Sequence, residues 1–83
     1  MSADTIRLEI RAKIAELAAV LGNDASTATD DDILPFTGLL DSAALMEFLS
    51  WYEDHFRLSL EQDEINIDNF GSIRAMTNYT LRR

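Results

Sequence analysis

A serine at the start of a predicted helix is the residue of this chain best placed to do chemistry. The stretch GLLDSAALMEFL, residues 38–49, passes from an irregular segment to an apolar helical run at Asp41 and Ser42. Unpaired backbone N–H groups and the helix dipole favour a phosphate attached at such a position. Either residue also suits the N-cap, where a side-chain oxygen accepts a hydrogen bond from a backbone N–H. Ser42 is therefore either a site of phosphate attachment or part of a helix cap.

Nucleophilic catalysis by Ser42 is not supported by the rest of the sequence. A serine hydrolase needs a histidine within hydrogen-bond reach of the serine. The single histidine, His55, follows thirteen residues later on the same predicted helix. At about 1.5 Å of rise per residue the two residues lie roughly 20 Å apart. The G-x-S-x-G pattern of the α/β-hydrolases is also missing. We therefore expect no enzymatic activity, and we interpret His55 as a solvated helix residue.

The aspartate run at residues 30–32 raises the question of a metal site. An EF-hand loop spaces its oxygen ligands, carries a central glycine and ends on a glutamate, whereas this run continues as Ile33-Leu34-Pro35. The chain has no cysteine, which excludes a thiolate metal site. Its three glycines are scattered, so it also has no glycine-rich loop that could bind a phosphate. We predict a solvated acidic loop and no metal site.

The charge of the chain limits the classes of partner. Seven basic residues against fifteen acidic ones leave a formal charge of −8. Nucleic acids and anionic membranes attract basic surfaces, so we expect neither as a partner, and we expect partners with positive surfaces. The first thirteen residues lack the apolar core of a secretory signal, and no run has the length of a membrane span. We expect a single domain over residues 1–83 that is monomeric and cytoplasmic.

Apolar residues at helical spacing predict two long helices. The first has its N-cap at Asp4 and a C-cap signal at Gly22-Asn23. Its predicted buried residues are Ile6, Ile10, Ile14, Leu17 and Leu21. The second begins at Asp41 or Ser42, and its predicted buried residues are Leu45, Phe48, Leu49, Tyr52 and Phe56.

The remaining segments are predicted to be a long loop, a short helix and a final helix. The loop runs from residue 23 to residue 41, and such a length in a small domain is often functional. Ser59-Leu60-Glu61-Gln62 resembles a capping box and predicts one short helical turn. The last helix begins near Gly71-Ser72 and runs towards Leu81, with Phe70 packing just before it. The predicted loop anchors are Ile33, Leu34, Phe36, Leu39 and Leu40, and the predicted core residues of the last helix are Ile73, Met76, Thr77 and Thr80. The fold class is therefore all-α.

The helix that begins at Ser42 carries acidic residues on the same side as the serine. Counted at about 100° per residue from Ser42, Met46 and Glu53 lie within about 40° of the serine, whereas the buried stripe centres at about 300°. Glu47 and Asp54 also lie away from that stripe. These residues form an acidic, partly apolar recognition strip.

The sequence resembles the acyl carrier protein family, in which an Asp-Ser pair opens the second helix. The resemblance covers nearly the whole chain. Its matching features are the first helix, the loop ending in Leu34-Pro35-Phe36, the Asp41-Ser42 pair, Phe56 at the end of the second helix, and Asn69-Phe70-Gly71-Ser72-Ile73. The resemblance implies an acyl-carrier-protein-like four-helix bundle with three main helices, a short third helix and a long first loop.

By the same resemblance, Ser42 carries 4'-phosphopantetheine through a phosphodiester made by a phosphopantetheinyl transferase. Asp41 would serve transferase recognition and the helix cap. The thiol of the prosthetic group holds a substrate as a thioester, and other enzymes do the chemistry. The residues that match docking positions for basic patches on partner enzymes are Met46, Glu47, Ser50, Glu53 and Asp54.

The residues after the serine bear on the cargo. Fatty-acid carriers typically read Asp-Ser-Leu-Asp, whereas this chain has Ala43 and Ala44 after Ser42. This stretch and the later Glu64–Phe70 segment are more similar to stand-alone aminoacyl carriers, such as D-alanyl or prolyl-type carrier proteins. The expected function is an aminoacyl or peptidyl carrier of secondary metabolism or cell-envelope modification, loaded by an adenylate-forming ligase or an acyltransferase. A fatty-acid or polyketide carrier is the alternative, and a non-catalytic acidic helical interaction module without a prosthetic group is the alternative of another class.

Overall fold

The computed structural model describes residues 2–83, except for the side chains of Pro35 and Phe36, and all regular secondary structure in this part is helical. The predicted anchoring role of Phe36 therefore concerns a side chain outside the described part. The elements are α1 (Ala3–Val20), α2 (Leu34–Thr37), α3 (Ser42–Phe56), a 3₁₀ turn (Gln62–Glu64), α4 (Ile67–Phe70) and α5 (Ile73–Arg82). Within residues 2–83, no helix has the length and apolarity needed to cross a bilayer.

Helix α1 begins and ends through local capping. Its N-cap is Ser2, whose hydroxyl oxygen accepts a hydrogen bond from the Thr5 N–H at 3.2 Å. The prediction that Asp4 is the N-cap is wrong, because Asp4 lies inside the first turn of the helix. Its negative charge interacts favourably with the helix dipole there. At the other end Gly22 has a φ of +80°. This left-handed residue completes a Schellman motif. Leu21, predicted to be buried, is the C-cap residue and is exposed.

Helices α1 and α3 run antiparallel, side by side. Glu9, near the start of α1, is hydrogen-bonded to His55, near the end of α3, with 2.9 Å between carboxylate oxygen and ring nitrogen. At the opposite end, Leu17 of α1 and Ala44 of α3 line one groove. The start of α3 is therefore next to the end of α1.

Helix α5 packs against α1 and α4, is hydrogen-bonded to α3, and completes the core. The buried apolar residues are Ile6, Ile10, Ile14, Leu17, Ala18, Leu34, Leu40, Phe48, Tyr52, Ile73, Met76 and Tyr79. Leu45, Leu49 and Phe56 of the predicted α3 stripe pack at the edge of this core and remain partly exposed. Tyr52 of α3 and Thr80 of α5 are joined by a hydrogen bond between their hydroxyl groups. The predicted stripe of α1 is buried except for Leu21, and in the predicted stripe of α3 only Phe48 and Tyr52 are fully buried. In α5 Tyr79 is buried and Thr80 is only half-buried.

The segment between α3 and α5 is held by Glu64. The capping box begins at Glu61, two residues after the predicted Ser59, and Glu61 and Glu64 exchange side-chain-to-backbone hydrogen bonds. Glu64 also accepts hydrogen bonds from the Tyr79 hydroxyl at 2.6 Å and from Arg83 at 2.8 Å. Burial, helped by the Glu64 hydrogen bond, raises the pKa of Tyr79 to about 12. The short helix α4, which the sequence pattern did not predict, follows directly and is capped by Asn66.

The long loop is anchored by ion pairs to α1 and α5. Asp30 pairs with Arg11 at 2.6 Å and with Arg7 at 3.5 Å. Asp31 pairs with Arg74, and this hydrogen bond holds the pKa of the Asp31 carboxyl below its ordinary value. The expectation of a solvated acidic loop is therefore wrong for Asp30, whose side chain is largely covered, whereas Asp31 stays exposed although it is ion-paired. The ion pairs hold residues 30–31 of the loop against α1 and α5.

The end of α3 contains one strained residue that offers a test of this local geometry. Arg57, the C-cap, has a φ of +56°, and within residues 2–83 it is the single non-glycine residue with a positive φ. We expect Arg57→Gly to raise the free energy of unfolding by about 1 kcal/mol, because glycine adopts the left-handed conformation without Cβ strain. Arg57→Ala is the matched control, since it removes the side chain and keeps the strain. Equal denaturation midpoints for the two variants would contradict the assignment.

Candidate functional site

The cap of α3 is Asp41, and this leaves Ser42 available. The Asp41 carboxylate accepts a hydrogen bond from the Ala44 N–H at 2.8 Å, and its backbone oxygen accepts the first helical bond from the Leu45 N–H. Ser42 is the first residue inside the helix and is exposed. Of the two alternatives for capping, the structure selects Asp41. Ser42 is therefore not needed as the cap, and it lies exposed at the positive end of a 15-residue helix.

The residues of the predicted recognition strip lie along one side of α3, and four of the five are exposed. Met46 keeps 66% of its surface exposed, and Glu47, Ser50 and Asp54 are also exposed. Glu53 differs because its carboxylate accepts a hydrogen bond from the Leu60 N–H at 2.9 Å. The structure thus brings the strip together but uses Glu53 to hold the chain that follows α3.

His55 and Trp51 occupy the other side of α3, facing α1. The ring of Trp51 is stacked on the ring of His55, with 4.7 Å between their centroids, and His55 also bonds Glu9. His55 is exposed, as predicted, and in addition it contacts Trp51 and Glu9. Trp51 is half-buried on the α1 side. His55 is separated from Ser42 by almost the whole length of α3, so it cannot act as a base for the serine.

Metal binding has no support in the described part of the chain. No group of three or more histidine, aspartate or glutamate side chains comes close enough to hold an ion among these residues. Asp30 and Asp31 of the aspartate run are already paired with arginines.

Two apolar recesses flank the start of α3, and sequence reasoning identified neither. The first is a cavity of about 210 Å³ between α3, α4 and α5, and it includes Leu45, Leu49 and Phe70 among its lining residues. The second is a groove of about 190 Å³ between the end of α1 and the start of α3, which we call the α1–α3 groove. It is lined by Leu17, Val20, Leu21, Asp41, Ala43, Ala44 and Glu47. The consecutive alanines after Ser42 were the signal that a shallow recess could form there.

Comparisons with models of protein families, with curated proteins and with solved structures found no match to this chain.

Glu53 belongs to the predicted recognition strip and also holds the backbone that follows α3, and this second role predicts an effect on stability. We expect Glu53→Ala to lower the free energy of unfolding by about 1–2 kcal/mol, because the half-buried Leu60 N–H loses a charged acceptor. Glu47→Ala is the matched control on the same helix face, and we expect a change within about 0.5 kcal/mol. Urea denaturation of both variants measures the difference. Indistinguishable curves would show that the Glu53 hydrogen bond does not contribute to folding.

Proposed function

We propose that this chain is a carrier protein of the acyl carrier protein type, with 4'-phosphopantetheine attached to Ser42. The observation that carries the proposal is the exposed Ser42 hydroxyl at the first position of α3, with capping done by Asp41. A serine that was required as the cap would have its oxygen engaged with the helix backbone.

The surroundings of Ser42 fit a phosphodiester. The positive end of the helix dipole favours the negative charge of a phosphate attached there. Asp41, whose carboxylate would repel that charge, is turned to the Ala44 N–H instead. Ala43, the next residue, is small and leaves the approach open. When bound, the group supplies a thiol that holds a substrate as a thioester.

The helical architecture supports the same proposal. An acyl-carrier-protein-like bundle has three main helices, a short helix before the last one and a long first loop. In this chain α1, α3 and α5 are the long helices, and α4 is the short helix before the last one. The first loop contains the equally short α2, and ion pairs hold residues 30–31 of this loop. We propose this fold on the order and length of the elements.

The chain acts as a substrate for other enzymes and is not itself an enzyme. Ser42 is exposed and has no histidine near it, so it lacks both a base and a site that excludes water. Its proposed partners are a phosphopantetheinyl transferase, an adenylate-forming ligase or acyltransferase, and downstream enzymes with basic docking patches. Met46, Glu47, Ser50 and Asp54 form the exposed docking strip for these patches. We propose that the carrier is monomeric and acts in the cytoplasm.

An aminoacyl or peptidyl cargo is the first candidate, because Ala43 and Ala44 follow the serine where fatty-acid carriers typically have Leu-Asp. A fatty-acid or polyketide cargo is the second, and a specific observation favours it. The cavity beside Leu45 and Leu49 has an almost wholly apolar lining and opens between α3 and α4. An apolar chain would gain from leaving water there.

The carrier proposal predicts the loss of modification in Ser42→Ala. Coexpression with a broad-specificity phosphopantetheinyl transferase should add the prosthetic group to the wild-type chain and leave Ser42→Ala unmodified, as mass spectrometry of the intact protein will show. The variant should keep its stability within about 1 kcal/mol, because the cap belongs to Asp41. Ser59→Ala, which removes an exposed serine outside the docking strip, is the control that stays modified. An unmodified wild-type chain would instead favour an acidic helical interaction module.

The cargo is decided by loading the modified protein. With an adenylate-forming ligase and ATP, we expect an amino acid to be transferred to the thiol, while fatty-acid synthase enzymes use the protein poorly. Mass spectrometry after each incubation measures the two outcomes. Efficient elongation of malonyl-derived chains without any aminoacyl product would show that the cavity, and not the alanine pair, indicates the cargo.

A further inference from the structure

The end of α1 exposes two large apolar residues, which line the α1–α3 groove together with residues at the start of α3. Val20 keeps 81% of its surface exposed and Leu21 keeps 42%. Val20 is the most exposed large apolar side chain in the described part of the protein. Leaving such surface in water has a free-energy cost that burial against a partner would remove.

These two residues form one wall of the α1–α3 groove, and alanines form the other. Ala43 and Ala44 are the first residues of α3 after the serine, and both line the groove. Larger side chains at these positions would fill the space between the helices. The groove therefore exists because the chain has two alanines where a longer side chain would close it.

The charges at the groove are all of one sign. Asp41 and Glu47 are its charged lining residues. Glu47 is also part of the exposed strip on α3, next to the exposed Met46. Lys13 lies two helical turns before Val20, but it is paired with Glu16. A complementary surface would present an apolar side chain between basic residues.

The position of the groove identifies which partner must cover it. Asp41 and Ala43, the two residues that flank Ser42 in the chain, both line the groove. An enzyme that reacts with the Ser42 hydroxyl must bring its active site to this end of α3 and so come into contact with the groove.

We propose that the α1–α3 groove is a docking site for the phosphopantetheinyl transferase, which places an apolar side chain flanked by lysine or arginine between α1 and α3. The inference rests on the carrier function proposed above and extends the docking surface from α3 to the end of α1. A second copy of this chain is a poor occupant, because both copies carry a net charge of −8 and acidic residues at the groove.

The test is the steady-state kinetics of transfer from coenzyme A to the unmodified protein by a broad-specificity phosphopantetheinyl transferase. Val20→Ser/Leu21→Ser should raise the KM for the carrier about five- to tenfold and leave kcat unchanged, since two apolar contacts are lost from binding alone. Val20→Ser alone should give a smaller increase in KM. Because it leaves the C-cap residue Leu21 unchanged, it separates the loss of docking from any effect on the end of α1. Leu8→Ser is the matched control, because Leu8 is an exposed apolar residue of α1 outside the groove. Circular dichroism verifies that all variants retain the wild-type helix content.

The outcomes separate this inference from the carrier proposal. A wild-type chain that the transferase never modifies overturns the carrier function, and the inference with it. A wild-type chain that is modified, with the same KM for the double variant, overturns the groove inference and leaves the carrier function intact. A fall in kcat with unchanged KM also overturns it, since docking would then be unaffected. Sedimentation that shows a wild-type dimer, lost in the double variant without a change in KM, would assign the groove to self-association instead.

Discussion

The hydrogen bond from the Ala44 N–H to the Asp41 carboxylate fixes the residue at which α3 begins, and the geometry of the candidate site depends on that start. The later side chains of α3 keep their faces through burial, because Phe48 and Tyr52 pack in the core with residues of α1 and α5. Because the cap is Asp41, the same hydrogen bond leaves the Ser42 hydroxyl exposed at the positive end of the helix.

A second constraint is the way in which a strongly acidic chain uses its few cations. Of seven lysines and arginines, three arginines hold the aspartates of the long loop against α1 and α5. Lys13 and Arg83 are engaged with glutamates. Most of the positive charge is thus paired within the structure, away from the start of α3. The exposed side of α3 keeps its negative potential as a result, and such a potential speeds the encounter with basic partners.

The sequence predicted the helices where apolar residues repeat at helical spacing. It did not predict the capping residue where two neighbouring polar side chains can both fill that role. Apolar spacing predicted α1, α3 and α5 and most of their buried residues, because the burial of one apolar face contributes most to where a helix packs. Capping was predicted less well: Ser2 replaced Asp4, and Glu61 replaced Ser59. Each pair holds two polar residues within two positions of each other, so tertiary placement decides between them. The roles of Glu53 and Asp30 also depend on partners distant in sequence or on the path of a loop, which no periodicity reports.

Ser42 is held in place by the core, but its surroundings are exposed. Ser42 lies on a long helix whose Tyr52 is buried and hydrogen-bonded to α5, so its position is held by the core. Its surroundings do not enclose it, since the hydroxyl, Ala43 and Met46 are all exposed. Catalysis in proteins gains most from groups that are preorganised and shielded from water, and Ser42 has only the first of these properties. A residue that is fixed and uncovered suits chemistry completed by another protein, whose surface must supply both the covering and the reactive groups. The apolar groove and the acidic residues beside the serine are features that such a surface can recognise, and the fold places them within reach of the same hydroxyl.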